Sequence, residues 1–140
     1  QTRLDVLYFS IVEVRRLRVH ALVIDDSRAM RMILKQILQE MGFQVSEAGN
    51  GREALDRLRQ MEKADIALVD WNMPEMNGFE FVCAVRAEAA YNDVQLMMVT
   101  TESEMSQMVK ALEAGANEYV MKPFTKEVIR EKLAILGIGL

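Results

Sequence analysis

Acidic, hydroxyl and ammonium side chains follow short apolar runs at four places in this 140-residue chain. Asp25 and Asp26 follow the run Ala21–Ile24, and Asp70 follows Ile66–Val69. Thr100 and Thr101 follow Gln95–Val99, and Lys122-Pro123 follows Glu118–Met121. If these runs lie side by side, three carboxylates, a hydroxyl and an ammonium meet at one edge. Crowded carboxylates repel one another and cost stability unless they share a cation. Only oxygen donors are offered, with no His or Cys nearby, which favours a hard ion: Mg2+, with Mn2+ as the second choice. Mg2+ keeps several waters and takes phosphate oxygens readily, so the constellation suits phosphoryl chemistry. A carboxylate can attack phosphorus to give an acyl phosphate. The metal, Thr100 and Lys122 would then balance charge on the equatorial oxygens.

The elements that must position these groups are legible in the spacing. The runs Ala21–Ile24, Phe43–Glu47, Ile66–Val69, Gln95–Val99 and Glu118–Met121 are short and each carries Val, Ile or Leu, as buried strands do. Between them lie amphipathic stretches with three-four spacing. Met30, Ile33, Leu34, Ile37, Leu38 and Met41 form one stripe, stopped by Gly42. Leu55, Leu58 and Met61 form a second, with Asn50 as its N-cap. A third helix starts near Phe79 and is expected to bury Val82 and Cys83. A fourth aligns Met105, Met108, Val109 and Leu112 and ends at Gly115. The fifth is capped by Thr125 and carries Val128, Ile129, Leu133 and Leu136. Five strand–helix units in alternation imply an α/β fold, a parallel sheet with helices on both faces. The expected topology is flavodoxin-like, order 2-1-3-4-5, with its site beyond the carboxyl ends of the strands.

Composition agrees with one domain. Half the residues are apolar, and 27% are charged. The net charge of −4 argues against a direct nucleic-acid binder, which needs a concentrated basic face. One cysteine, Cys83, excludes an internal disulfide and reads as a buried small hydrophobe, in keeping with a reducing cytoplasm. Residues 1–18 differ from the rest. They hold Arg3, Arg15, Arg16 and Arg18 against Asp5 and Glu13, and read as a leader or extension preceding a domain over 19–140. The run Val6–Val12 is too short to span a bilayer, so no membrane insertion is expected.

Taken together, Asp25-Asp26, Asp70-Trp71-Asn72-Met73-Pro74, Thr100 and Lys122-Pro123-Phe124 resemble the signature of the response-regulator receiver domains, most of all the chemotaxis members. The likeness covers Val19 to about Leu136. It implies Asp70 as phosphoacceptor for a histidine kinase, with Asp25, Asp26 and the backbone carbonyl of Asn72 around the metal. It further implies Thr100 as the switch hydroxyl, Tyr119 as an aromatic rotamer switch, and Lys122 as the phosphate-pairing ammonium before a cis proline. Asn72 and Glu102 match positions that tune dephosphorylation, which implies a short-lived phosphoryl group. Ser27 and Thr101 depart from the chemotaxis pattern, which has an aromatic and a smaller residue there. The output surface would be the face of the fourth helix, fifth strand and fifth helix, acting by binding a partner such as a flagellar motor switch component. A phosphorelay receiver serving another pathway is the alternative.

Each residue alone has an ordinary explanation. Asp25-Asp26 could cap the first helix, Asp70 could open a turn before Pro74 and Gly78, and Tyr119 could be a plain strand residue. Their coincidence at the ends of strands sharing one edge favours the functional reading. An aspartyl-phosphate hydrolase of the haloacid dehalogenase type would need an acid where Asn72 stands. An FMN carrier would need a phosphate cradle after the first strand, where Asp25-Asp26 would repel a phosphate.

Overall fold

The computed structural model describes residues 18–139. The reading of residues 1–18 as a leader falls, but for Arg18, outside them. Five strands, β1 (His20–Ile24), β2 (Gln44–Ala48), β3 (Ile66–Asp70), β4 (Gln95–Thr100) and β5 (Glu118–Met121), form one parallel sheet in the order β2-β1-β3-β4-β5. The helices are α1 (Arg28–Glu40), α2 (Gly51–Gln60), α3 (Gly78–Arg86), α4 (Met108–Ala114) and α5 (Lys126–Ile135). This is the expected flavodoxin-like topology.

Because both faces of the sheet are covered, its central strands are apolar at nearly every position. All of β3 is buried. Alternate residues serve two separate cores. Leu22, Ile24, Ala67, Val69, Leu96 and Met98 pack with Leu58 of α2, Phe81, Val82 and Val85 of α3, and Met108 of α4. Ala21, Val23, Ile66, Leu68, Met97 and Val99 pack with Leu34 and Leu38 of α1 and with Ile129 and Leu133 of α5. Each fully buried Leu, Ile, Val or Phe contributes about 1.5–3 kcal/mol.

Capping residues set where the helices begin. The Ser27 hydroxyl accepts from the Met30 amide, Asn50 accepts from the Glu53 amide, and Thr125 accepts from the Val128 amide. Asn77 and Glu80 form a reciprocal capping box at α3. At the other end, the turn after α1 needs the positive φ of Gly42.

Three expectations are corrected. Cys83 is exposed, because α3 turns Phe81, Val82 and Val85 inward and places position 83 nearly opposite them. In α1, Ile33 is 48% exposed, so the buried stripe is narrower than the sequence implies. The fourth helix is not one α-helix: Glu102–Gln107 is a 3-10 segment, and α4 proper is short, with Val109 and Leu112 exposed.

The end of the sheet away from the strand carboxyl termini is tied by Arg86. Its guanidinium donates to the carbonyls of Gly115 (2.9 Å), Tyr91 (3.0 Å) and Val94 (2.7 Å) and to Oδ1 of Asn117 (2.9 Å). All four acceptors are neutral, and partial burial lowers the pKa of this arginine. No helix among the described residues is long and apolar enough to cross a membrane.

Candidate functional site

The parallel register brings the strand ends together. Ile24 pairs with Val69, Asp70 with Val99, and Thr100 with Met121. Asp70 and Thr100 are therefore the last residues of neighbouring strands, while Asp25 and Lys122 lie one residue past β1 and β5. Asp25, Asp26 and Asp70 each present a carboxylate oxygen within 4.8 Å of the other two. Asp25 and Asp70 are buried, and Asp26 is exposed. The Lys122 ammonium stands 3.2 Å from Asp25 Oδ2 and 3.2 Å from Asp70 Oδ1. Its backbone amide donates to the Thr100 carbonyl at 2.6 Å, and the Lys122-Pro123 peptide is cis, as expected.

Local chemistry answers the capping alternative. The α1 cap is supplied by Ser27, so the acid pair is not needed for it. Asp25 instead accepts the Ser27 amide through Oδ1 (2.8 Å) and Lys122 through Oδ2. Arg31 is engaged by the Asp25 carbonyl (2.6 Å) and by Glu47 (3.3 Å), a structural role; Arg28 is exposed.

Charge balance in the pocket is incomplete. Burial, and then the Asp25 charge, push the Asp70 carboxyl up to about 6 against the pull of Lys122. Burial alone would lower the Lys122 ammonium, but Asp70 and Asp25 outweigh it and raise its pKa. One ammonium thus faces three clustered carboxylates. Oxygen donors in that number, short of positive charge, fit a hard divalent ion.

The remaining expected residues lie around this centre. Asn72 is exposed in the loop after β3, and Glu102 is exposed at the start of the 3-10 segment that follows β4. The Thr100 side chain is buried, and its hydroxyl donates to the Thr101 carbonyl at 3.3 Å. Tyr119 is half-buried on β5, with the Lys132 ammonium 4.8 Å above its ring. Trp71 is buried beside Asp70, its ring 6.1 Å from that of Phe79.

The profile of the response regulator receiver domain family matches residues 21–134. The chain belongs to the response regulator receiver domains. It is accordingly a protein of two-component signalling, and several of its relatives are chemotaxis proteins. A chemotaxis protein CheY homolog from Campylobacter jejuni is 49% identical over 120 residues, covering 84% of this chain and 92% of its own. Chemotaxis protein CheY1 of Helicobacter pylori is 41% identical over 116 residues, covering 82% and 94%. Among solved structures, the chemotaxis response regulator CheY4 of Vibrio cholerae superposes with a TM-score of 0.76 at 36% identity, over 88% of this chain and 99% of that one.

One residue of this receiver site escaped the sequence reading. Glu104 is 5% exposed, and its Oε1 accepts the Thr101 amide at 2.9 Å and the Thr101 hydroxyl at 2.7 Å. Its charge also adds to the upward push on Asp70. The Thr-x-x-Glu spacing of a capping box was the available signal.

Proposed function

We propose that this receiver takes a phosphoryl group on Asp70 from a histidine kinase, in a Mg2+-dependent reaction, and that the modified domain changes its affinity for a protein partner. The supporting observation is the position of the Lys122 ammonium, 3.2 Å from both Asp25 and Asp70 in a buried acidic cluster. An Asp70 oxygen attacks phosphorus, the bond from phosphorus to the donor breaks, and the donor leaves with the electron pair. Lys122 neutralises oxygens of the transferred group. Asp25, Asp26, Asp70 and the Asn72 carbonyl are the residues that would hold the metal. When bound, Mg2+ supplies the positive charge that Lys122 alone does not.

Transfer replaces one negative charge by roughly −1.5 to −2. Thr100 is the switch hydroxyl in this reading, and Tyr119 answers its movement. The response reaches α4, β5 and α5, where Val109, Leu112, Met121 and Ile135 are exposed. Coupling of this kind is typically about 1–3 kcal/mol. Asn72 and Glu102 tune loss of the phosphoryl group, and the domain catalyses nothing beyond its own acceptance and release. The similarity to chemotaxis proteins favours a cytoplasmic role with a flagellar motor switch component as target. A phosphorelay partner is the second reading.

The buried Trp71 next to Asp70 reports on the site. Its fluorescence should change when Mg2+ and beryllofluoride, or Mg2+ and acetyl phosphate, are added together. Asp70→Asn should remove that response, and acetyl phosphate should add the mass of one phosphoryl group to the parent only. An Asp70→Asn protein that still responds like the parent would rule out Asp70 as acceptor.

A further inference from the structure

Among the described residues, a single buried side-chain polar atom has no hydrogen-bond partner: Oε2 of Glu104. The other oxygen of that carboxylate is doubly engaged, by the amide and the hydroxyl of Thr101. A capping box accounts for the engaged oxygen and not for the orphan. The capping box at α3 is the internal comparison, because there the Glu80 carboxylate likewise accepts the amide of its cap residue, Asn77, and stays exposed. A cap therefore does not require burial of its glutamate. Leaving a buried acceptor unpaired costs on the order of 1–3 kcal/mol, and more for a charged one. Glu104 is also near enough to Asp70 for its charge to be felt there.

We infer that Glu104 is an internal anion holding the donors of Thr101 while Asp70 is unmodified, and that a phosphoryl group on Asp70 displaces it. The inference rests on Asp70 being the acceptor. Thr101 follows the last residue of β4, so its amide and hydroxyl lie next to Thr100 at the carboxyl edge of the sheet. These are donors of the kind an incoming anion needs, and a carboxylate of this same chain already occupies them. Adding charge to Asp70 makes the Glu104 position less favourable through like-charge repulsion in a poorly solvated pocket. Departure of Glu104 frees both donors and removes the cap of the 3-10 segment Glu102–Gln107, which runs directly into α4. Glu104 is then a positioning residue: it opposes acceptance of the phosphoryl group and links that event to the segment carrying exposed Val109 and Leu112.

The test is the beryllofluoride concentration giving half of the Trp71 response, at saturating Mg2+, for the parent, Glu104→Gln, Glu104→Ala and Glu113→Gln. Glu104→Gln keeps the shape and an acceptor for the Thr101 amide while losing the charge. Glu104→Ala vacates the donors. Glu113→Gln removes one exposed charge on α4. Both Glu104 variants should respond at lower concentration than the parent, by roughly tenfold within the 5- to 150-fold range of such couplings, and Glu113→Gln should match the parent. A purely structural cap would leave Glu104→Gln like the parent and only lower the melting temperature of Glu104→Ala. Should Glu104→Ala fail to fold, Glu104→Gln decides alone. If the parent responds and Glu104→Gln shows no gain, or Glu113→Gln gains as much, the role assigned to Glu104 is wrong while Asp70 keeps its own. No response from the parent would remove both.

Discussion

The Cα of Gly78 lies against the backbone carbonyl of Asp70, so closely that an added methyl group would overlap that oxygen. The amide of Gly78 also donates to the Trp71 carbonyl at 2.9 Å. The first residue of α3 is therefore packed onto the end of β3, directly against the backbone of Asp70.

Gly78→Ala tests that contact. Alanine inside a helix normally gains about 0.5–1 kcal/mol over glycine. Overlap with fixed backbone costs about 1–3 kcal/mol or more, so the clash should win. Urea unfolding is expected to show a net loss of roughly 1–2 kcal/mol, with a weaker Trp71 response to Mg2+ and beryllofluoride. An unchanged midpoint and response would show that Asp70 does not need this contact.

Asp70 should make stability depend on pH. Folding raises its pKa from 3.8 to about 6, so between those values the folded protein holds a proton that the unfolded chain has released. Its contribution is fully present below pH 4, fades as pH rises through 6, and amounts to roughly 3 kcal/mol. Chemical unfolding without metal, in parent and Asp70→Asn, should give pH profiles that diverge in that window. Parallel profiles would remove the shift.

The same protonation competes with metal. Mg2+ needs the ionised carboxylate, so its apparent affinity should fall about tenfold between pH 7.5 and pH 5. Calorimetric titration across this interval is the measurement. Stability gained on adding Mg2+ should grow over the range in which the metal-free protein weakens.

Lys122→Ala removes the ammonium shared by Asp25 and Asp70. Breaking a buried pair by deleting one partner typically costs about 3–5 kcal/mol; with the lysine partly exposed, the lower end is expected. Mg2+ should restore more stability to this variant than to the parent, as seen in paired thermal melts. Phosphorylation should persist, and transmission to a binding partner should be poor.

The strands and the acidic cluster were legible because both have strong local causes. A sheet covered on two faces demands unbroken apolar runs, and carboxylates directly after such runs have few other places to go. The register added what runs alone do not give: Asp70 and Thr100 end adjacent strands. Helix interiors read less well. Val109 and Leu112 have the spacing of a buried stripe yet are exposed, because the chain before them is a 3-10 segment that reorients the turn. The apolar neighbours of Cys83 suggest burial, yet its angular position on α3 faces outward. Glu104 was hidden for a different reason. A glutamate in a polar loop normally meets water, and only the packed structure reveals that this one is enclosed.

The sheet divides the interior into two compartments with no helix in common. A protein gripping α1 and another gripping α4 would press on opposite sides of one wall, and neither could nudge the other by rearranging a shared core. What the two compartments share is the sheet itself, and at its rim Asp25, Asp70, Thr100 and Lys122 sit shoulder to shoulder.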